Sequence, residues 1–446
     1  MVSCHVYVCT EKPNSTIMLV NEKIQSPISN RNNPLDIMLA DRKASLNERT
    51  RNWQNCVDEK IRKHEYFNMR EIVSEHDREV IVFDRYTGEY QKMLMFGSNN
   101  YLGLANHPYV KQKVKQAIDD MGVGIGGSPI LNGYTRLHRQ LEERLSGIKK
   151  TEDTLLFSSG YSANIGMITA LVKPDSTVIF DEHSHASFYD GLKMIGGKEL
   201  RIKPFKHNNM FELEYYLRKF TELSNKQIFV GVEGVYSLDG DTAPLDKIAS
   251  LCKEYNSVLL LDDANGTGIT GKNGFGTAEK YGVEGSIDIT MGSFSKTFAV
   301  TGGFISSSKP LVSYLRYMAR SGMFSASLPP IVVSAVLAGI DIMESEKFRL
   351  EKLHENVKYA ANSLNRIGLF VSPQAAIISL IVPPHMNIST ASRCFHEKGI
   401  FINTVEYPAV PLNKQRFRIS ITANHTFSDI DRLTETINCI WKKYAH

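Results

Sequence analysis

The sequence predicts an α/β fold with a large, mostly parallel, seven-stranded sheet and a smaller C-terminal α/β domain. Between residues 104 and 335, short apolar and β-branched runs alternate with stretches whose apolar residues recur at helical spacing. Strands that alternate with amphipathic helices typically form a parallel sheet covered on both faces. The seven candidate strands cover residues 154–159, 177–181, 199–204, 227–232, 258–262, 287–291 and 303–306.

In chain order, we divide the sequence into an N-terminal extension (1–60), an N-terminal arm (61–103), a large domain (104–335) and a small C-terminal domain (336–446). The extension is polar and lacks clear periodicity, so we expect it to be partly disordered or packed on a partner. The C-terminal domain is predicted from three candidate strands at 377–382, 401–405 and 417–422, with helical stretches at 331–346, 350–366 and 427–444.

Composition excludes several classes of protein. The formal charge of +4 over 446 residues is too weak to indicate a nucleic-acid partner. The six cysteines are scattered without a CxxC pair, which argues against a disulfide framework or a metal site and favours a reducing compartment. The N-terminus does not resemble a signal peptide, and no apolar run reaches the roughly 18 residues that cross a bilayer. We therefore expect a cytoplasmic protein with no integral membrane segment and no metal.

Lys296 is the first candidate catalytic residue, in the segment MGSFSKTFAVTGGF. It follows a predicted strand and has small hydroxyl residues and glycines around it. A lysine that traps a carbonyl must lie near a desolvated pocket, where its amine is partly neutral. Taken alone, a lysine in such a loop is usually a solvated surface residue, so the assignment depends on its surroundings.

Asp262 lies where the apolar strand of VLLLDDANGTG ends. In an open α/β sheet, ligands bind beyond the carboxyl ends of the strands. A carboxylate at this point can pair with a protonated pyridine nitrogen and make the ring a stronger electron sink. The alternative for an isolated aspartate here is a helix cap or a turn.

Two further segments follow predicted strands. In TLLFSSGYSANIG, the residues Ser159, Gly160 and Tyr161 come at a strand-to-helix junction, where backbone N–H groups can bind a phosphate. In DEHSHASFYDG, either His183 or His185 could lie flat on a pyridine ring, although such a histidine is more often an ordinary hydrogen-bonding residue.

Taken in order, these segments resemble the α-oxoamine synthase family of fold-type I pyridoxal 5'-phosphate (PLP) enzymes. This family includes serine palmitoyltransferase, 5-aminolevulinate synthase, 8-amino-7-oxononanoate synthase and 2-amino-3-ketobutyrate coenzyme A ligase. The similarity begins near Tyr66 and continues to the C-terminus. The motifs that carry it are FGSNNYLGLANHP, GSPILNGYTRLHRQLE, SSGYSAN, HSHAS, EGVYSLDGD, DDANGTG, GSFSKT, FSASLPP and RFRISITANH.

The resemblance implies a PLP site and assigns its residues. Lys296 would form the Schiff base with the cofactor, Asp262 would pair with the pyridine nitrogen, and His185 would stack on the ring. These three are the expected catalytic residues. The remaining expected cofactor-binding residues are Ser159, Gly160, Tyr161, Ser237, Asn265, Ser293 and Ser325.

The substrate site is also implied by the resemblance. Asn99 and Arg418 would hold the substrate carboxylate, and Ser128 is expected to bind substrate too. The planar guanidinium of Arg418 suits this role, because it can bind a carboxylate through two parallel hydrogen bonds. Ser325 is expected to reach the phosphate of the partner subunit, which would make the active site a property of a homodimer.

Two positions depart from the family pattern. Asn265 replaces a histidine that hydrogen-bonds the phenolic oxygen of the cofactor; an amide can donate that bond but cannot titrate. Pro129 stands where many members carry arginine, which puts the usual acyl-donor contact of that loop in question.

The implied reaction is a decarboxylating condensation of an amino acid with an acyl thioester, carried by coenzyme A or an acyl carrier protein, to give an α-aminoketone. Transamination and aldol-type cleavage on the same fold remain as alternatives, because a fold does not fix its chemistry. A non-catalytic paralogue subunit is a further alternative, and the presence of Lys296 argues against it.

Overall fold

The structure is a computed structural model that describes residues 44–197, 199–223, 226–407 and 409–444. These residues form two compact units. The first comprises the described residues up to Gly97, Ser379–Ile419 and the described residues from Asp431 onward; the second comprises Ser98–Ile378 and Ser420–Ile430. The boundaries at 60, 103 and 335 remain predictions.

The second unit is built around a seven-stranded sheet. Its strands are β4 (Asp153–Phe157), β5 (Thr177–Asp181), β6 (Arg201–Phe205), β7 (Ile228–Glu233), β8 (Val258–Asp262), β9 (Ile289–Ser293) and β10 (Gly303–Ser307). The order across the sheet is β4-β10-β9-β8-β7-β5-β6. β10 runs antiparallel to both of its neighbours, and the other pairs are parallel. The predicted mostly parallel sheet of seven strands is therefore confirmed, with strand ends shifted by up to two residues.

The helices that belong to this unit precede, connect or follow the strands. They are α2 (Pro108–Met121), α3 (Arg136–Lys149), α4 (Gly160–Leu171), α5 (Ala186–Ile195), α6 (Met210–Leu223), α7 (Leu245–Glu254), α8 (Thr277–Tyr281), α9 (Lys309–Met318), α10 (Arg320–Met323), α11 (Pro330–Ser345) and α12 (Phe348–Arg366). The helix predicted at 331–346 corresponds to α11, and the one predicted at 350–366 corresponds to α12.

Both faces of this sheet are buried, because alternate side chains of one strand enter two different cores. In β5, Val178 and Phe180 pack with the residues of α4 and α5, whereas Ile179 packs with those of α6 and α7. In β8, Leu260 joins the first core, and Leu261 joins the second. A sheet covered on both faces leaves its strand ends as the accessible edge for a ligand.

The first unit contains a helix that the sequence pattern did not indicate. α1 (Leu46–Arg62) begins at a capping box, in which the hydroxyl of Ser45 accepts from the backbone of Glu48 and the carboxylate of Glu48 accepts from Ser45. Cys56 is the buried residue of this helix. The remainder of the predicted extension, residues 1–43, lies outside the described residues.

Two small sheets complete the first unit. β1 (Glu71–Ile72), β2 (Glu79–Phe83), β3 (Tyr90–Met95) and β12 (Ile400–Phe401) pair in that order. β11 (Ile377–Ile381), β14 (Arg416–Ser420) and β13 (Asn403–Val405) pair in that order, and the helices α13 (Ile388–Glu397) and α14 (Phe427–Lys443) accompany them. The three predicted C-terminal strands are thus present, with the second split between β12 and β13. Across the part of the chain that the structure describes, no helix combines the length and the apolar character needed to cross a membrane.

Candidate active site

The carboxyl ends of five strands of the large sheet bring together most of the predicted site. β4 and β9 have the same direction, because each is antiparallel to β10 between them. Side chains that follow β4, β5, β7, β8 and β9 therefore meet at one edge of the sheet. The predicted residues at this edge are Ser159, Gly160, His185, Ser237, Asp262, Asn265, Ser293 and Lys296.

The start of α4 has the form of an anion site. Ser159 is its N-cap, and its hydroxyl accepts a hydrogen bond of 3.0 Å from the backbone N–H of Ser162. Gly160 packs so closely on Ser293 that an added Cβ would lie 2.9 Å from the Ser293 Cβ. Because Gly160 has no side chain, the backbone at the start of α4 can lie against Ser293. The first N–H groups of the helix and the hydroxyl of Ser293 are therefore close together.

Asp262 ends β8 as a buried carboxylate with two fixed hydrogen bonds. Its Oδ2 accepts from Nδ2 of Asn164 at 2.7 Å, and its Oδ1 accepts from the backbone N–H of Ala264 at 3.0 Å. Burial raises the pKa of Asp262, whereas His185 and the Asn164 amide act in the opposite direction. A cationic partner at this position would favour the ionised form.

His185 is the N-cap of α5, and its ring is held in place. Nδ1 lies 2.8 Å from the Ser187 hydroxyl, which itself accepts from Nδ2 of Asn164 at 2.9 Å. Burial lowers the pKa of His185; the charge of Asp262 raises it, and the charge of Lys296 lowers it. The charges of Asp262 and Lys296 both act on this imidazole, so the three predicted catalytic residues interact electrostatically with one another.

Lys296 lies in the connection between β9 and β10, and its side chain is buried. The connection is closed at its base, where Gly303 pairs with Ser293. Next to the lysine, the hydroxyl of Thr297 donates to the Thr267 carbonyl at 2.9 Å. The lysine is thus a desolvated amine held by ordered backbone, unlike the surface lysine that the isolated motif suggested.

Asn265 and Asn99 lie on either side of one tyrosine hydroxyl. The hydroxyl of Tyr101 is 3.3 Å from Oδ1 of Asn265 and 3.2 Å from Oδ1 of Asn99. Ser420 also donates to Oδ1 of Asn99, at 3.4 Å. Nδ2 of Asn265 faces the Val235 carbonyl at 3.5 Å. The amide of Asn265, which replaces the histidine of the family pattern, therefore points its oxygen at Tyr101.

The other predicted residues have varied surroundings. Tyr161 is half exposed, and its hydroxyl donates to Asp190, which raises the pKa of the phenol. The hydroxyl of Ser325 donates to that of Ser158 in the same chain at 3.3 Å, so its predicted reach to a partner subunit stays a prediction. Ser128 accepts two backbone hydrogen bonds in a turn that includes Pro129, from Leu131 and Gly133.

Arg418 is buried on β14 and belongs to the first unit, whereas the strand-end residues belong to the second. Its assignment to the substrate carboxylate remains a prediction.

Three neighbours of the site were not singled out from the sequence. Asn164 lies one helical turn beyond Gly160, inside a motif that was recognised, and this spacing was the available signal. Glu233 pairs in register with Asp262; burial, and then the charge of Asp262, raises its pKa. Tyr101 is fully buried and directly follows Asn99 and Asn100 in the motif FGSNNYLGLANHP, and this position was the available signal.

The residues present fit PLP. The imidazole of His185 suits contact with a flat ring, the buried amine of Lys296 suits an aldehyde, and the buried carboxylate of Asp262 suits a pyridine N–H. The anion site at α4 matches a phosphate. Its hydroxyls are already linked, with Ser293 lying 2.8 Å from Ser295 and Ser159 lying 2.9 Å from Ser162.

Comparisons with known proteins agree with this fit. The family model described as aminotransferase class I and II matches residues 91–437. An 8-amino-7-oxononanoate synthase from Lysinibacillus sphaericus is 37% identical over 354 residues, covering 79% of this chain and 90% of that protein. A serine palmitoyltransferase from Sphingobacterium spiritivorum is 34% identical over 402 residues, covering 90% of this chain and 98% of that protein.

Solved structures show the same similarity. The serine palmitoyltransferase from S. paucimobilis, with a bound PLP–myriocin aldimine, matches with a TM-score of 0.82 and 28% identity. The match covers 90% of this chain and 99% of that one.

Proposed function

The chain belongs to the aminotransferase class I and II family and, within it, to the α-oxoamine synthases, and from this premise we propose that it joins an amino acid to an acyl thioester with loss of CO2. It is a PLP-dependent C-acyltransferase, and its product is an α-aminoketone. The observation that carries the proposal is the buried group of Lys296, His185 and Asp262 at the strand ends of the large sheet.

Bound PLP supplies an electron sink and a covalent attachment point for the amino acid. The chain supplies the rest. Lys296 would anchor the cofactor, and its Nζ would remove the α-proton of the substrate. Asp262 accepts the pyridine N–H, and Asn164 holds this carboxylate in position. His185 would stack on the ring, and burial, which lowers its pKa, favours the uncharged imidazole there.

The remaining roles concern the phosphate and the substrate. Ser159, Gly160, Tyr161 and Ser293 bind the phosphate at the start of α4, and Ser237 lies near the cofactor. Asn99 and Arg418 hold the substrate carboxylate, Ser128 contributes to the substrate site, and Asn265 donates its amide N–H to the phenolic oxygen. The acyl donor is a coenzyme A or acyl-carrier-protein thioester.

Product analysis tests the reaction. The enzyme is incubated with each common amino acid and a series of acyl thioesters, and the release of CO2 and free thiol is measured. Condensation releases both in equal amounts. Amino-group transfer without thiol release would instead support an aminotransferase, and cleavage to an aldehyde would support an aldol-type reaction.

Borohydride tests the cofactor anchor. Reduction of the purified holoenzyme followed by peptide mapping places the pyridoxyl group on Lys296. Lys149 is the internal control, because it is equally buried but its Nζ is bound to Asp263 at 2.9 Å. A label on Lys149, or on any lysine other than Lys296, would contradict the assignment.

We further propose a cytoplasmic homodimer in which Ser325 reaches the phosphate site of the partner. The exposure of Phe324 beside Ser325 supports the dimer. The scattered cysteines support the cytoplasmic location, and the four that the structure describes are free thiols. Sedimentation velocity tests the dimer, and an active monomer would contradict it. Cell fractionation tests the location.

A further inference from the structure

A group of charged side chains beside the cofactor site has no role in the mechanism above. It lies in the loops that follow β5, β6 and β7, and we refer to it as the aspartate–histidine cluster. Its members are Asp181, His183, His207, Asn208, Tyr236, Asp239 and Asp241.

His207 is the centre of this cluster. Its Nδ1 lies 3.0 Å from Oδ1 of Asp181, and its Nε2 lies 2.7 Å from Oδ2 of Asp241. A carboxylate can only accept, so both ring nitrogens carry hydrogen, and the ring is an imidazolium. In agreement, hydrogen bonds and charges of the two aspartates outweigh burial and raise the pKa of His207 to about 10.

The rings around His207 fix its plane. His183 stacks on one face with a centroid separation of 4.1 Å, and Tyr236 meets it edge-on at 4.5 Å. Although Asp181, His183 and His207 are close enough to hold a metal ion, His207 has no lone pair to offer, because both of its nitrogens donate to carboxylates.

Asn208 strengthens the same connection. Its backbone N–H donates to Oδ2 of Asp181 at 2.8 Å, and its side-chain Nδ2 donates to Oδ2 of Asp241 at 3.0 Å. The residue adopts a left-handed backbone with φ +53°. Asparagine tolerates this conformation better than most residues, so His207 and Asn208 together bridge the same two aspartates.

The two aspartates belong to the loops that carry predicted cofactor residues. Asp181 accepts from the backbone N–H of His183 at 2.8 Å, at the base of the turn that leads to His185. Asp241 closes the turn that contains Ser237, where Tyr236 N–H donates to the Asp241 carbonyl at 3.0 Å. A link between Asp181 and Asp241 therefore fixes the separation of the two turns.

We propose that His207 is a positioning residue, whose cationic ring ties Asp181 to Asp241 and so holds the His185 turn and the Ser237 turn in place around PLP. The inference rests on the proposed function, because it takes His185 and Ser237 as neighbours of the cofactor. His207 itself contacts neither substrate nor PLP in this account.

Three variants test the link. His207→Gln keeps a side chain of similar length but removes the charge, and Asp241→Asn removes the opposing charge. The control is His107→Gln, since His107 also faces a carboxylate, Glu346 at 3.3 Å, but lies at the start of α2. Each holoenzyme is examined by near-visible circular dichroism of bound PLP, and each apoprotein by PLP titration and thermal unfolding.

His207→Gln and Asp241→Asn are expected to alter the PLP dichroism, weaken PLP binding and lower kcat by about 10- to 100-fold, because small misplacements of site residues carry costs of this size. KM for the amino acid is expected to change less than about twofold, since neither loop holds its carboxylate. In the combined variant, the loss of kcat, expressed as a free energy, should be smaller than the sum of the losses in the two single variants, because both residues act on one link. His107→Gln should leave dichroism and kcat unchanged.

Chemical rescue gives a second readout. His207→Gly removes the ring, and imidazole added to the buffer is expected to restore the dichroism in part. A lower melting temperature with unchanged dichroism, PLP affinity and kcat in both single variants would overturn the proposal and leave a purely structural link. Failure of the unmodified enzyme to release thiol would refute the proposed function alone, because the dichroism and PLP titration do not depend on the substrate.

Discussion

Nδ2 of Asn164 lies 2.7 Å from Oδ2 of Asp262, and both side chains are buried. The amide comes from the second turn of α4, and the carboxylate comes from the end of β8. The helix whose start forms the candidate anion site therefore also orients the carboxylate that we propose for the pyridine nitrogen. The packing of α4 against β8 therefore sets the distance between the start of α4 and the carboxylate of Asp262.

Asn164→Ala tests this relationship. Loss of a hydrogen bond to a buried carboxylate is expected to cost about 1–3 kcal/mol, which appears as weaker PLP binding when the apoprotein is titrated. The pKa of Asp262 should also rise, because the amide lowers it in the parent protein. Thr169→Ala is the control on the same helix, because the Thr169 hydroxyl donates to the Ile165 carbonyl within α4 at 2.7 Å. Equal PLP affinity in both variants would contradict the role of Asn164.

Arg418→Ala tests the carboxylate site. A charge-assisted contact in a shielded pocket is worth on the order of 2–4 kcal/mol, so KM for the amino acid should rise roughly 30- to 1000-fold, while PLP binding is retained. Arg416→Ala serves as the control on the same strand, since its Nε donates to the Lys414 carbonyl at 3.0 Å. If KM is unchanged in Arg418→Ala, the carboxylate is bound elsewhere.

Variants of Asn265 distinguish two explanations for the replacement of the family's histidine by asparagine at this position. If its amide only donates a hydrogen bond, Asn265→His should remain active with a pH profile shifted by the titration of the imidazole. Asn265→Ala should cost about 1–3 kcal/mol in transition-state stabilisation. Both are measured as kcat/KM against pH. A histidine variant that gains acyl transfer absent from the parent would show that Asn265 marks a different reaction.

The raised pKa of His207 also predicts how the free energy of unfolding depends on pH. Its pKa is raised from 6.5 to about 10, so its contribution is complete below about pH 6.5 and is lost as pH rises through about 10. We expect the difference in unfolding free energy between the parent apoprotein and His207→Gln to shrink over this range. The titratable groups that contact His207 or the His183 ring stacked on it are Asp181, Glu182, His183, Tyr236, Asp239 and Asp241. A difference that stays constant up to pH 11 would contradict the assignment of the charge.

The large sheet could be predicted from the sequence because its strands are short apolar runs with polar residues where they end. The predicted ranges 177–181 and 258–262 match β5 and β8. Lys296, His185 and Asp262 could be proposed as site residues for the same reason, since each follows a predicted strand, and their roles remain predictions. The ordered set of family motifs then supplied their roles.

Other features could not be read from local pattern. α1 depends on the capping box at Ser45 and has one buried residue, so its apolar periodicity is weak. The aspartate–histidine cluster joins three loops that are up to 60 residues apart in sequence, and only the parallel order of β7, β5 and β6 brings them together. The orientation of Asn265 depends on Tyr101, which is separated from it by more than a hundred residues.

The reversed direction of β10 has a consequence for turnover. Because β9 and β10 form a hairpin closed by Ser293 and Gly303, the short connection that carries Lys296 is attached to the sheet at both of its ends. Under the proposed assignment, its amine would meet the cofactor aldehyde as an intramolecular reactant, at a high effective concentration. We therefore expect cofactor retention between turnovers to depend on this connection as well as on the pocket.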